Sequence, residues 1–235
     1  MEELFGKAPR SEKRPSEHWI SMSDLMAGLM MVFLLISVAF MRYVQVERDK
    51  IKEVAVAYQN TQVAIYRALE EEFVEDLPKW DAEIDKTSLE FRFKSPEVLF
   101  DNGRFELKQA FKLILDDFFP RYMKVLAPFR QHITEVRIEG HTSSGWGGRD
   151  DPTVAYFNNM ALSQGRTREV LQYLYLMPSV EAEKGWMKEK FAAVGFSSAH
   201  PILDGAHKED PVRSRRVTFK VLTNAELQIR KIIAE

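Results

Sequence analysis

Hydrophobic positions along the chain follow three different periods, and each predicts a different kind of element. From Leu25 to Met41, seventeen apolar or small residues run without a break. As a helix this run rises ~25 Å, and the stretch from Trp19 to Phe40 gives ~33 Å, against a hydrocarbon core of ~30 Å. Residues 19–41 are therefore predicted to cross a membrane once, with Trp19 and Tyr43 where interfacial aromatics belong. From Arg42 to Glu75 the pattern changes to polar helix formers without Gly or Pro. There Val44, Ile51, Tyr58 and Ile65 recur every seven residues, beside a weaker stripe of Val54, Thr61 and Ala68. That period predicts a helical stalk over residues 42–86, which either pairs with a second copy along this seam or lies solvated on the next domain.

Further along, the period becomes two. Alternation in Leu89-Glu-Phe-Arg-Phe93, in Val136-Arg-Ile-Glu139 and in Val217-Thr-Phe-Lys-Val221 predicts half-buried strands. Helical stretches fall between them: about 105–119, ended by Pro120, about 153–175, and about 179–193. Strands alternating with helices predict an α/β sandwich over residues 87–223, preceded by a segment at 1–18 and followed by a helical tail at 224–235. The acidic cluster Glu70, Glu71, Glu72, Glu75 and Asp76 before Pro78 reads as a solvated face and a boundary.

Asp24 stands at the mouth of the apolar run. An ionised side chain at the centre of a membrane helix costs roughly 3 kcal/mol, so its default reading is an ion or proton site. Ser21, Ala27 and Gly28 lie three or four residues from it and share its face. Small residues let helices approach closely in lipid, which predicts that this face meets partner helices. Two other readings stand beside this one. Ser37-Val38-Ala39 resembles a signal-peptide cleavage site, and Ser23 or Asp24 would cap the helix if it began there.

Bulk composition narrows the function classes. With 33 basic and 35 acidic residues the net charge is -2, too little for a nucleic-acid partner held through its phosphates. Absence of cysteine removes disulfides, thiolate metal sites and a Cys nucleophile. The five histidines show no metal-ligand spacing, and no nucleophile and base share a motif, so neither a metal centre, another cofactor nor an enzyme is expected. Basic residues flank the apolar run equally, Lys7, Arg10, Lys13 and Arg14 before it and Arg42, Arg48, Lys50 and Lys52 after it, so charge does not orient it.

Four ordered phrases carry a resemblance: Val98-Leu-Phe-Asp-Asn-Gly-Arg-Phe-Glu-Leu107, Val136-Arg-Ile-Glu-Gly-His-Thr142, Asn159-Met-Ala-Leu-Ser-Gln-Gly-Arg166 and Arg213-Ser-Arg-Arg-Val-Thr-Phe219. They look like the successive signatures of the OmpA-like peptidoglycan-binding domain. With the acid-bearing span and stalk in front, the chain resembles MotB-type stator subunits, most of all the MotB-like subunit of Zorya anti-phage defence systems. In that family an Arg in the Leu-Ser-x-x-Arg turn and an Asp after Gly-His-Thr hold a stem-peptide diamino acid. The Arg maps onto Arg166, taken as a surface side chain at a helix start, with Asn158, Asn159 and Leu162 beside it. The Asp position is Ser143, and Asp150 or Asp151 is the alternative acid. Arg213, Arg215 and Arg216 either orient the ligand or pair with surface acids, and His141 reads as structural.

The resemblance implies an inner-membrane, single-pass subunit without a cofactor, with residues 1–18 cytoplasmic and the stalk and sandwich periplasmic. Asp24 would relay protons in a homodimer ringed by five copies of a MotA-like membrane partner, with peptidoglycan as the anchor. A flagellar-type stator and a static wall anchor without ion flux remain as alternatives.

Overall fold

In the computed structural model, residues 16–94, 96–148 and 151–224 are described. The segment at 1–15 and most of the tail expected at 224–235 lie outside them. The chain divides into two units, Met1–Lys52 and Glu53–Glu235.

Helix α1, Ser16–Phe73, runs through the predicted span and most of the stalk without interruption. In the first unit every described side chain from Met22 to Val46 is exposed, and Met22–Glu53 is the stretch long and apolar enough to cross a membrane. In the second unit the last turns of α1 behave differently. Ile65, Leu69 and Phe73 are fully buried in the core, so this end of the stalk lies on the domain rather than in a free seam. Higher up, Val44 and Ile51 of the heptad stripe are exposed, and the side chain of Tyr58 is outside the described set.

The acidic cluster is more than a solvated face. Arg121 donates from Nε to Glu72 at 2.6 Å, from Nη1 to Asp76 at 2.9 Å and from Nη2 to the Glu72 carbonyl at 2.7 Å. Its guanidinium also lies 4.8 Å over the Phe73 ring. Such a planar fork spends its donors on two carboxylates and a helix end at once, which fixes the stalk's end to the body of the domain.

Five strands form one sheet: β1, Ala82–Asp85; β2, Glu90–Phe93; β3, Ile133–His141; β4, Phe191–Gly195; and β5, Arg216–Thr223. Their spatial order is β1-β2-β5-β3-β4, with β3 and β4 parallel and the other pairs antiparallel. The domain thus begins before residue 87, since β1 is its edge strand. Connecting the strands are a short α2, Pro96–Leu99; α3, Gln109–Leu126; α4, Pro152–Tyr175; α5, Lys184–Lys190; and a short α6, Pro211–Ser214.

Two expected boundaries move. The helix expected at 105–119 starts later, because Leu107 pairs with Phe100 in an isolated bridge, and it continues through Pro120 to Leu126. An internal proline costs a helix about 3 kcal/mol. Phe118, Phe119, Tyr122, Met123 and Leu126, all buried, hold both sides of it in place. The helix expected at 179–193 ends at Lys190, since Phe191–Gly195 pairs with Val136–Gly140 as β4.

Register sorts the alternating residues onto two faces. Phe91, Phe219 and Ile138 lie opposite one another, as do Val136 and Val221, and this face packs against the helices. Phe118 of α3 is within 5.3 Å, centroid to centroid, of Phe91, Phe93 and Phe219. The opposite face carries Glu90, Lys220 and Arg137 in one row and Arg92, Thr218 and Glu139 in the next. Burial works to raise the Glu90 carboxyl, but hydrogen bonds from Lys220 and Arg92 hold it below its ordinary value.

Helix α4 comes closest to the sheet over glycines. A Cβ on Gly140 would sit 2.7 Å from the Ser163 carbonyl oxygen and 2.9 Å from Thr167 Cγ2. Gly140→Ala is therefore expected to destabilise the domain by about 1–3 kcal/mol, read as a Tm lowered by several degrees in thermal unfolding followed by tryptophan fluorescence. An unchanged Tm would mean that α4 does not seat this closely.

Candidate functional site

At the end of β3 the chain leaves the sheet, and the loop residues 142–148 reach the first half of α4, where Asn159 bonds to Ser143 and Gly145. Asp151 caps α4, its carboxylate accepting from the amides of Thr153 and Val154, with Pro152 in the first turn. That satisfies two of the orphan donors at the helix start. It also spends the carboxylate that sequence reasoning offered as one alternative for the ligand's ammonium, and Asp150 lies outside the described residues.

Between this loop, α4 and the 101–104 turn lies a cleft of about 540 Å³. Of the residues named from the motifs, Ser143, Asn159, Leu162 and Arg166 line it, while the half-exposed Asn158 is not among its lining residues. Of the three arginines at 213–216 only Arg215 lines the cleft. Arg213 is exposed on α6, and Arg216 turns to the charged face of the sheet beside His141 and His200. Adjacent residues entering a strand point to opposite sides, which separates Arg215 from Arg216.

Arg166 is not a surface side chain. It is 7% exposed, with its guanidinium 4.7 Å over the Phe100 ring. Its Nε donates to the Arg104 carbonyl at 2.9 Å and Nη2 to the Asp101 carbonyl at 3.3 Å. Both partners belong to the turn at 101–104, so Arg166 staples that turn to α4. Burial, and then the charge of Arg215, push its guanidinium down to about 10. Among the described residues no carboxylate accepts from it, and a buried cation left in that condition favours an incoming anion.

Asn159 is buried and donates to the carbonyls of Ser143, at 3.0 Å, and Gly145, at 3.3 Å. Its amide thus shapes the loop. Thr142, also buried, lines the cleft with an Oγ1 that meets no partner among the described residues. Trp146 was missed by sequence reasoning, although it stands as the one aromatic in Gly145-Trp146-Gly147-Gly148. Gly147 and Gly148 have φ of +55° and +72°, a left-handed bend suited to glycine, and it brings the indole to the cleft wall.

His141 ends β3 on the opposite face, stacked on Phe196 with ring centroids 5.3 Å apart. Burial pushes its imidazole down despite Glu139 nearby, which suits a neutral packing residue. Among the described residues no group of His, Asp and Glu is arranged to hold a metal ion.

The second expected site, Asp24, lies in the other unit. Helix α1 begins at Ser16, about two turns earlier, so Asp24 does not cap it. Ala27 and Gly28 follow on the same face and are exposed, and a Cβ on Gly28 would meet nothing within 4 Å. The side chain of Ser21 is outside the described set.

Comparison with known proteins defines the class first. A MotB-like protein from Desulfovibrio vulgaris superposes with a TM-score of 0.50 at 21% identity, covering 73% of this chain and 94% of that one. The periplasmic domain of Helicobacter pylori MotB gives 0.43 at 16% identity over 65% of this chain and 88% of that one. The distal domain has the mixed α/β sandwich of the MotB-like, OmpA-like proteins. No family model matches the chain. Zorya protein ZorB of Escherichia coli is 66% identical over all 235 residues, the full length of both chains, and this chain belongs to the ZorB family.

Proposed function

We propose that the chain is the ion-conducting, wall-anchored stator subunit of a Zorya anti-phage system. The observation that carries the reading is Asp24, a carboxylate within the helix near the start of the one described stretch able to cross a membrane, with a small-residue face beside it. Apolar side chains exposed along Met22–Met41 require lipid or partner helices to cover them, and Ala27 and Gly28 favour helices on the Asp24 side. Those helices would belong to a second copy of this chain and to a ring of MotA-like partners, the ZorA subunits, five around the dimer.

Protonation removes the charge of Asp24 and release restores it, so each cycle changes how its helix packs in the ring. A membrane voltage of ~150 mV supplies ~3.5 kcal/mol per charge, comparable with the cost of holding the carboxylate in the membrane. The distal domain holds the peptidoglycan, with Arg166 clamping a stem-peptide carboxylate. With the dimer fixed to the wall, the ring turns around it.

The reading requires the amino terminus in the cytoplasm and the domain in the periplasm of the inner membrane. A reporter that works only in the periplasm is expected to be active when fused after Glu235 and inactive when fused before Met1. The reverse pattern, or mature protein beginning at Phe40 by mass spectrometry, would remove the membrane channel from the account.

A further inference from the structure

The charge of the cleft is one-sided. Arg166 and Arg215 line it, and among the described residues no carboxylate does. Nearby acids are occupied elsewhere: Asp101 pairs with Lys108 at 3.1 Å, Asp151 caps α4, and Glu209 accepts from the amide and hydroxyl of Ser144. The remaining polar side chains are neutral: the hydroxyls of Ser143 and Thr142, the amides of Asn102 and Asn159, and the indole of Trp146.

A wall stem peptide offers carboxylates together with the side-chain amine of its diamino acid. When that amine is free it is an ammonium, and in this cleft it would face two guanidinium charges with no carboxylate among the described lining residues to offset them. When the amine is acylated, as at a cross-link to a neighbouring stem, it becomes an uncharged amide with one donor and one acceptor. Such an amide suits the hydroxyl of Ser143 and the unpartnered, buried hydroxyl of Thr142, since each both donates and accepts. From this juxtaposition of two arginines with neutral hydroxyls we infer that the cleft selects stem peptides whose side-chain amine is acylated, the cross-linked part of the wall. The inference rests on the wall-binding reading and names which fraction of the wall is held. Cross-linked strands bear load, so an anchor resisting torque gains from holding them.

The test titrates the full-length chain in detergent with two synthetic probes, a stem tripeptide whose diamino acid carries a free side-chain amine and the same tripeptide acetylated on that amine. The acetylated probe is expected to bind at least about tenfold more tightly. Ser143→Asp, which places an acid on the cleft wall, is expected to reverse that order. Equal or tighter binding of the free-amine probe by the unaltered chain would overturn the inference. So would binding of neither probe by a chain that still pellets with whole sacculi. Failure to pellet with sacculi as well would overturn the wall-binding reading beneath it.

Discussion

An Asp24→Asn substitution is expected to abolish anti-phage protection while leaving the subunit in the membrane and bound to its partners. Asparagine has nearly the volume of aspartate and keeps a polar head, so the contacts of the Ala27 and Gly28 face are undisturbed. What it loses is the titratable charge, and with it the coupling of voltage to helix packing. Loss should be complete, because a neutral side chain gives the voltage no charge to act on at this position. Co-purification of the partner with the variant separates failed conduction from failed assembly. Full protection by an assembled Asp24→Asn complex would favour a static anchor, in which the carboxylate has no task.

Removal of the buried guanidinium has the second largest effect, and it acts on stability and binding together. Arg166→Ala leaves the carbonyls of Arg104 and Asp101 without their donors and empties the space over the Phe100 ring. An unsatisfied buried acceptor costs about 1–3 kcal/mol; these carbonyls belong to an exposed turn that water reaches, so the loss falls at the low end, and relief of the buried charge returns part of it. The variant is thus expected to fold with a Tm lowered by several degrees and to lose co-sedimentation with sacculi. Arg166→Lys keeps the charge but not the planar fork, so it should retain more stability than Ala and bind weakly. Undiminished pelleting by either folded variant would assign Arg166 to stapling the 101–104 turn alone.

How much of this was legible in the sequence depended on how local the signal was. Strands β2, β3 and β5 announced themselves because their hydrophobic and polar residues alternate, and the sheet buries one of their faces and leaves the other charged. Strand β4 did not, since Phe191-Ala-Ala-Val-Gly195 continues a helical pattern and becomes a strand only through pairing with β3. Edge strand β1 is four residues long and rich in acid, a weak pattern by itself. Pro120 signalled a helix end, yet tertiary burial on both sides of it overrode that local preference.

The site divides in the same way. Ser143, Asn159, Leu162 and Arg166 were found through ordered motifs, and the fold brings them to one cleft. Motif order carried no information on depth, so Arg166 was taken as a surface group although the 101–104 turn and Phe100 cover it. The burial of Ile65 was likewise concealed, because a stripe at heptad spacing reads the same whether a second copy or the chain's own domain covers it, while Leu69 and Phe73, following it at intervals of four, lie outside that stripe. Asp24 attracts notice for the opposite reason, as a charge at the mouth of an apolar run stands out without knowledge of the fold, and the task given to it is a proposal.

Charge movement through the assembled complex tests the central claim most directly. The full-length chain and its MotA-like partner are reconstituted into vesicles, a voltage is imposed, and flux is followed with and without sodium in a proton-buffered medium. The account predicts flux through the unaltered complex and none above the vesicle leak through the Asp24→Asn complex. Equal flux through both, or no flux through an intact unaltered complex, would contradict it.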